Sequence, residues 1–383
     1  MDKIANTSLP NEQQPKKPSK KQLVLATALF ALVFLVLFFL FPKDASKNTA
    51  SVAQTKTDGS FFNAATPTPM PFRELTVPYL REREYKSSLG EREVAYQGSN
   101  YTAYLTSYDS DGLKVNGLLT IPNQDSSDQN DRVERGSAGI NEDKYPAIVF
   151  IHGYIPPSTY VTTQNYYDYV DYLARKGFVV FKIDLRGHGD SEGEPGGGYY
   201  GSDYVVDALN SRAALQSSGF VNPQKIGFWG HSMAGNIVMR SLAAQTDIPA
   251  VVIWAGAVYS YLDWQKYRIN DNSYSSPQMS PQRQRRRQEL FEKYGSPSAT
   301  SVFWQQVAPT NYLGDIKGAI QLNHAVDDDV VNIGYSRDLV AMLDKTNIPH
   351  ELHEYPTGGH NITGSSFVTA MNNTVGFFEK YLK

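Results

Sequence analysis

Residues 225–235 (KIGFWGHSMAG) join an apolar strand pattern to a helical pattern through one short turn that contains Ser232. The strand pattern ends at Gly230, and the helical pattern begins at Met233. A residue in such a turn adopts a strained backbone conformation, so small residues are needed two positions before and after it. Gly230 and Ala234 meet this need, although Ala234 replaces the more common glycine. The segment predicts a sheet covered by helices, with Ser232 raised at a strand's carboxyl end as a candidate nucleophile.

Short apolar runs and helical patterns alternate after residue 145. Continuous apolar runs are typical of parallel strands that are covered on both faces. They occupy residues 147–151, 178–183, 225–229, 250–254 and 319–322. Because strands alternate with helices, the pattern predicts an α/β fold with a doubly wound, mostly parallel sheet. Earlier strand patterns at residues 93–96, 101–107 and 115–121 are separated by turn sequences and predict an antiparallel meander that opens the sheet.

The N-terminal part of the chain has the pattern of a membrane anchor. Residues 22–41 carry no charge, and twenty helical residues span roughly 30 Å, the thickness of a bilayer's hydrocarbon core. A cleaved signal peptide is the alternative, but its apolar part is usually only about 7–15 residues long. Lysines are concentrated in residues 1–21, just before the span, which favours a cytoplasmic N-terminus. We therefore expect a single-pass protein of the cell membrane, with a cytoplasmic tail at 1–21 and everything after the span outside the cytoplasm.

The remainder divides into a spacer and one domain. Residues 42–74 are rich in small polar residues and proline, and predict a flexible linker. Residues 75–383 are expected to form a single α/β domain. The segment at about residues 259–315 is longer than one crossover helix requires, and it predicts an inserted helical lid. A basic run at Arg283–Arg287 within it is interpreted as a solvated helix face, with binding of an acidic substrate as the alternative.

Composition excludes several classes of function. The 383 residues contain 36 basic and 39 acidic side chains, so the net charge of −3 gives no indication of nucleic-acid binding. There are no cysteines, which rules out a disulfide scaffold, a thiolate nucleophile and a Cys-ligated zinc site. The candidate chemistry requires neither a metal nor an organic cofactor.

A nucleophilic serine needs a base, and in folds of this kind the order along the chain is serine, acid, histidine. Four histidines follow Ser232. His324 lies inside an apolar run, while His350 and His353 flank two strand residues and point to opposite faces, which argues against a metal site. His360 follows the last strand in the loop TGGHN, where parallel sheets place their sites. His360 is therefore the predicted base.

The acid should follow the preceding strand, where Asp327, Asp328 and Asp329 are adjacent. Three carboxylates cannot all be buried beside one imidazole, because like charges at such distances are costly. Asp327 is the preferred candidate because it comes first after the strand, with Asp328 and Asp329 as alternatives.

The oxyanion formed by attack on a carbonyl needs two backbone N–H donors. Met233, directly after the serine, should supply one of them. The loop after the strand at 147–151 should supply the other, through the N–H of Tyr154. His152 in that loop is interpreted as structural rather than as a second base. The glycine-rich segment 184–191 (DLRGHGDS) should form a polar loop that supports the site.

Together these segments resemble the α/β hydrolases, and in particular the catalytic domain of the prolyl oligopeptidase family and its dienelactone-hydrolase-like relatives. The resemblance covers roughly residues 90–383, and the motifs come in the family order. It implies a serine hydrolase with a Ser-Asp-His triad, and its Asp-x-x-Val pattern supports Asp327, with Val330 as the trailing apolar residue. His324 stands where many relatives carry a glycine, and the sequence offers no segment for the propeller found in prolyl oligopeptidases.

Four functions are compatible with this pattern. A serine peptidase acting on a peptide is the leading hypothesis. A carboxylesterase acting on a small or aryl ester is the alternative, since esterases on this module need no propeller. An inactive surface-binding module with the same fold represents a different class, and a transferase with a non-water acceptor is a further option.

Overall fold

The computed structural model describes residues 70–123, 144–270 and 279–383. The predicted membrane anchor at 22–41, the cytoplasmic tail at 1–21 and most of the linker at 42–74 lie outside these residues and remain predictions. No helix in the three described ranges is long and apolar enough to span a bilayer.

The described residues form a nine-stranded sheet with the order β1-β2-β3-β5-β4-β6-β7-β8-β9. The strands are β1 Glu93–Gln97, β2 Tyr101–Ser110, β3 Leu113–Pro122, β4 Tyr145–Ile151, β5 Val179–Ile183, β6 Val221–His231, β7 Ala250–Trp254, β8 Ala319–Ala325 and β9 His350–Tyr355. The first three strands pair in antiparallel fashion, and β3 joins β5 in the same way. From β5 to β9 every pairing is parallel. The predicted meander and the predicted parallel sheet are both confirmed.

Helices cover both faces of the sheet. They are α1 Val77–Glu82, α2 Tyr167–Arg175, α3 Asp203–Gln216, α4 Ala234–Ala244, α5 Asp263–Lys266, α6 Pro281–Tyr294, α7 Val302–Val307, α8 Gly334–Leu343 and α9 Ser365–Leu382. Single 3-10 turns lie at Arg73–Leu75 and Pro157–Thr159, and a longer 3-10 segment with a kink at Tyr312 spans Pro309–Asp315.

Successive residues of β4 contribute to two separate cores, as the twofold periodicity of a strand requires. Val149 belongs to the core that contains Ile237 of α4. Phe150 belongs to the opposite core, with Val170 of α2 and Phe378 of α9. β5, β7 and β8 are buried along their whole length, and β7 is an unbroken apolar run. β5 and β8 also bury polar side chains, among them Lys182 and His324.

Between β7 and β8 the chain forms helices rather than a single crossover. Helix α6 begins at a side-chain cap, where Ser280 accepts a hydrogen bond from the Arg283 N–H, and Gly295 with φ 65° follows its last residue. Helix α7 begins in the same way, with Ser301 accepting from the Trp304 N–H. The helical character expected for the insertion is present in its described part, whereas its function as a lid remains a prediction.

Candidate active site

Ser232 occupies the sharp turn between β6 and α4. Its φ is 56°, in the left-handed region that residues other than glycine seldom adopt. Its N–H donates to the Trp254 carbonyl at 2.9 Å, and its carbonyl accepts from Gly235 N–H at 2.9 Å. A Cβ on Gly230 would lie 2.7 Å from a Val238 methyl group, so only glycine fits there. The strained turn predicted from the sequence is present, and it tolerates Ala234.

His360 lies in the loop that follows β9. Gly358 and Gly359 just before it have φ values of 138° and 58°, which explains the need for two glycines. The Nδ1 of His360 lies 2.9 Å from Oδ2 of Asp328. The side chain of Asp328 is fully buried, while that of His360 remains 16% exposed. A buried carboxylate thus orients a partly accessible imidazole, which is the arrangement that an acid–base pair requires.

The choice of Asp327 as the partner of His360 is wrong in the structure. Asp327 is exposed, and its carboxylate instead accepts hydrogen bonds from the N–H groups of Gly359 at 2.8 Å and Gly358 at 3.3 Å. Asp329 is also exposed. The turn after β8 points only its second carboxylate inward, so Asp328, one of the two alternatives, contacts the imidazole. Asp327 thus binds the backbone of the loop that carries His360, and its own side chain faces solvent.

The carboxylate of Asp328 accepts hydrogen bonds on both oxygens. Oδ1 accepts from the backbone N–H groups of Val330 and Val331, each at 2.9 Å. Oδ2 lies 3.2 Å from Nε2 of His324, in addition to its contact with His360. Burial by itself would raise the pKa of Asp328, but the hydrogen bonds from His324 and His360 outweigh it and hold the pKa below its ordinary value. Asp328 is therefore ionised at neutral pH.

His324 lies inside β8 and was interpreted from the sequence only as an ordinary strand residue. Its Nε2 is 2.9 Å from the Val331 carbonyl, and its Nδ1 is 2.8 Å from the Ser336 hydroxyl. Because a carbonyl only accepts, Nε2 carries the proton and shares it between Val331 and Asp328. The feature that distinguishes it in the sequence is a polar imidazole in an apolar strand, four residues before Asp328.

The residue before the serine connects the turn to the histidine loop. The rings of His231 and His360 are 4.6 Å apart, and Nε2 of His231 lies 2.9 Å from the backbone carbonyl of His360. His360 is thus fixed against the neighbour of Ser232. The sequence pattern around His231 gives no signal of this contact.

The loop after β4 also reaches this turn. A Cβ on Gly153 would lie 3.0 Å from Nδ1 of His231 and 3.2 Å from its carbonyl oxygen, so the loop backbone packs directly on the residue before Ser232. Tyr154, the predicted second oxyanion donor, follows Gly153 and is half-buried. Met233, the first predicted donor, precedes the first residue of α4, where backbone N–H groups have no acceptor within the helix.

The comparison with known families agrees with this geometry. A model of the prolyl oligopeptidase family matches residues 165–383, which is more than half of the chain and includes β5 to β9. The chain belongs to the prolyl oligopeptidase family. It is therefore a serine hydrolase, as the sequence motifs predict.

Similar proteins include peptidases and esterases. The probable dipeptidyl-aminopeptidase B of Coccidioides posadasii is 25% identical over 241 residues, which cover 60% of this chain and 24% of that protein. This prolyl oligopeptidase family member thus spans about a quarter of the length of such curated relatives.

Solved structures show the same fold at low sequence identity. Acetyl xylan esterase 1 from Thermoanaerobacterium has a TM-score of 0.53 and 18% identity, and the match covers 82% of this chain and 94% of the esterase. A putative dipeptidyl aminopeptidase IV from Bacteroides ovatus has a TM-score of 0.55 and 19% identity, with 75% of this chain and 36% of that one covered.

The polar loop after β5 is hydrogen-bonded to the segment that follows β4. Asp184 accepts hydrogen bonds from Tyr160 and Thr162, each at 2.5 Å, and Ser191 donates to the Asp184 carbonyl at 2.6 Å. Lys182 is fully buried and donates to the Tyr160 hydroxyl at 2.6 Å. Burial lowers the pKa of Lys182, and the nearby Asp184 opposes that shift. The sequence motif predicts the polar loop but gives no signal for the contribution of Lys182.

His152 is fully buried beside the same network. Its Nδ1 lies 2.7 Å from the Gly153 carbonyl, and burial holds its pKa well below the ordinary value. A histidine that stays neutral and enclosed supports the structural interpretation over that of a second base.

The basic run contacts the body of the protein. Arg283 forms an ion pair with Asp203 at 3.1 Å and donates to the Glu194 carbonyl at 2.7 Å. Arg286 pairs with Glu74, and the guanidinium of Arg287 lies 4.8 Å from the centre of the Tyr200 ring. These contacts hold α6 against neighbouring segments.

The remaining histidines of β9 have local partners. His350 lies 3.1 Å from Asp344, and His353 lies 3.1 Å from Glu351. Within the described ranges, no group of three or more His, Cys, Asp and Glu side chains is arranged to hold a metal ion.

Proposed function

We propose that Ser232, His360 and Asp328 form a catalytic triad that hydrolyses acyl compounds through an acyl-enzyme. The observation that carries the proposal is the 2.9 Å contact between His360 Nδ1 and Asp328 Oδ2, on a loop bonded to the residue before Ser232. Because Nδ1 donates to the carboxylate, Nε2 of His360 is left unprotonated and able to accept a proton.

In the proposed reaction, Ser232 Oγ attacks the carbonyl carbon while His360 takes the hydroxyl proton. The N–H groups of Met233 and Tyr154 stabilise the negative oxygen of the tetrahedral intermediate. The intermediate collapses, His360 protonates the leaving amine or alcohol, and an acyl-Ser232 ester remains. Water then attacks this ester with His360 again as base, which releases the acid and restores the serine.

Peptides are the proposed substrates. Support comes from the family and from relatives whose names describe them as dipeptidyl-aminopeptidases. Amide hydrolysis needs a proton for a poor leaving group, and His360, held by the buried Asp328, is suited to supply it.

Ester hydrolysis is the second candidate. The observation that favours it is the match to 94% of the length of an acetyl xylan esterase, compared with 36% of a dipeptidyl aminopeptidase IV. The same triad would serve, since an alcohol leaves more readily than an amine.

A fluorophosphonate probe tests the triad directly. We expect stoichiometric labelling of the wild type and none of Ser232→Ala, with Ser217→Ala, at an exposed serine, as a control that retains Ser232. Absence of wild-type labelling, or equal labelling of Ser232→Ala, would contradict the proposal and favour a binding module that has kept only the fold.

The substrate class requires a second measurement. Turnover of p-nitrophenyl esters of increasing acyl length is compared with turnover of dipeptidyl and prolyl amides by the same preparation. Comparable kcat/KM for amides and esters supports the peptidase, whereas ester turnover alone supports the carboxylesterase. Product analysis with added alcohol or amine acceptors identifies acyl transfer to a group other than water.

A further inference from the structure

The hydroxyl group of Tyr166 lies between two parts of the active site. It accepts a hydrogen bond from the Gly153 N–H at 3.0 Å and is 2.7 Å from Nδ1 of His231. The other ring nitrogen of His231, Nε2, lies 2.9 Å from the carbonyl oxygen of His360. These three contacts form a continuous path from the loop after β4 to the loop that carries His360. We call it the Tyr166–His231 link.

The chemistry of the end groups determines every proton in the link. The Gly153 N–H only donates, so the Tyr166 oxygen accepts there and uses its own proton toward His231. The His360 carbonyl only accepts, so Nε2 of His231 must carry the ring proton and Nδ1 must be the acceptor for Tyr166. One neutral tautomer of His231 satisfies all three contacts.

The surroundings keep His231 in that state. Its ring is buried and lies near His360, His324 and Asp328. Burial, reinforced by the neighbouring His360, lowers its pKa to about 3. His231 therefore stays neutral at neutral pH.

The link is also tightly packed. A Cβ on Gly153 would lie 2.9 Å from the Tyr166 hydroxyl and 3.0 Å from Nδ1 of His231. Tyr166 itself has a φ of 62°, an uncommon conformation for a bulky residue, at the N-terminus of α2. A strained residue at a functional site is retained where the surroundings require its side chain in one position.

We propose that Tyr166 and His231 are positioning residues that hold the Tyr154 loop, Ser232 and His360 in mutual alignment. The inference rests on the proposed function, because Tyr154 and His360 act on the same substrate carbonyl in that reaction. Gly153 precedes the oxyanion donor, His231 precedes the nucleophile, and His360 is the base. A misalignment of about 1 Å between reacting groups costs on the order of 100-fold in rate, so loss of the link should be visible in turnover.

The first test compares Tyr166, which immediately precedes α2, with Tyr172 in α2. Tyr166→Phe removes the hydroxyl group of the link. Tyr172→Phe is the matched control, because its hydroxyl donates at 2.6 Å to Asn372 of α9, away from the site. We expect Tyr166→Phe to lower kcat by about 10–100-fold with KM within about threefold, and Tyr172→Phe to retain wild-type kinetics. Similar unfolding midpoints for the two variants would separate positioning from general stability.

The second test uses rescue at His231. Glutamine places an N–H donor near the position of Nε2 and restores the contact with the His360 carbonyl, whereas leucine fills similar space without a donor. We expect His231→Leu to lose at least as much kcat as Tyr166→Phe, and His231→Gln to recover part of it. A soluble, folded His231→Leu with the same kcat as His231→Gln would overturn the role of this contact.

The outcomes separate the inference from the function on which it rests. If Ser232→Ala abolishes hydrolysis but Tyr166→Phe and Tyr172→Phe have equal kcat, the proposed role of the link is wrong and the triad is still supported. A wild type that hydrolyses no ester or amide and is not labelled by fluorophosphonate overturns both. A ¹⁵N-histidine NMR spectrum checks the tautomer without turnover, and a protonated Nδ1 on His231 at neutral pH would contradict the link.

Discussion

Asp328 contacts Nδ1 of His360 at 2.9 Å through a carboxylate that is fully buried, although another aspartate precedes it in the turn. The adjacent Asp327 is exposed and accepts instead from the backbone of the histidine loop. Neighbouring residues of identical chemistry thus have different functions, because the turn after β8 points only one of them toward the imidazole.

This arrangement predicts unequal effects of two conservative substitutions. Asp328→Asn should lower kcat on the order of 10⁴-fold, because an amide stabilises neither the required tautomer nor the imidazolium. Asp327→Asn keeps an acceptor oxygen for the loop N–H groups and should cost about tenfold or less. Steady-state kinetics of the two purified variants makes the comparison. A larger loss for Asp327→Asn would reassign the acid.

His324 provides a second prediction, because it contacts the same carboxylate at 3.2 Å. Loss of a hydrogen bond to a charged group costs about 1.5–3 kcal/mol, which corresponds to roughly 10–100-fold in rate if the carboxylate is displaced. His324→Leu should therefore lower kcat by that factor, while His324→Gln, which keeps a donor, should lose less. Identical kcat values for wild type and a folded His324→Leu would show that the His360 contact alone holds Asp328.

The pH dependence of stability provides a third prediction. The native pKa of His231 is about 3, because the ring is buried. An unfolded histidine titrates near its ordinary value of about 6.5, so between these pH values the unfolded chain holds a proton that the native state lacks. Stability is therefore lost as the pH falls below about 6.5, by up to ~1.4 kcal/mol per pH unit from this residue.

Urea denaturation at pH 7, 6 and 5 measures this effect. His231→Gln cannot take up the proton, so its free energy of unfolding should fall less steeply with decreasing pH than that of the wild type. Other buried histidines, such as His152, contribute equally to both proteins and cancel in the comparison. Parallel curves would show that His231 titrates normally in the native state.

The membrane anchor remains a proposal from the sequence alone. We expect the full chain to fractionate with membranes and a protein lacking residues 1–42 to be soluble, with unchanged kcat/KM. The uncharged run at 22–41 is the physical basis, since it contains enough residues for one bilayer crossing. Fractionation of both proteins, with activity assays on each fraction, measures this. A truncated protein that stays with the membrane, or that folds without activity, would indicate a larger role for this segment.

Local sequence patterns were sufficient for the parallel strands and for Ser232. Continuous apolar runs indicate strands that are buried on both faces, and 250–254 was predicted with the bounds that the structure has for β7. Ser232 could be assigned because the end of its strand, its small neighbours and the start of the following helix all lie within eleven residues. His360 was assigned from chain order and from two glycines that the loop needs.

The sequence by itself determined the fold class, the candidate nucleophile and the candidate base, because each depends on a pattern along the chain. The fold class follows from the alternation of strands and helices, the nucleophile from one short segment, and the base from chain order. Only the tertiary structure decided that Asp328 contacts His360, that His324 contacts Asp328, and that His231 reaches the His360 loop. These contacts join residues from different strands and loops, and their directions depend on how the turns pack. Ser232 can therefore be identified from one segment of the sequence. The residues that align its partners can be identified only from the structure, because the sheet brings their loops together at one edge.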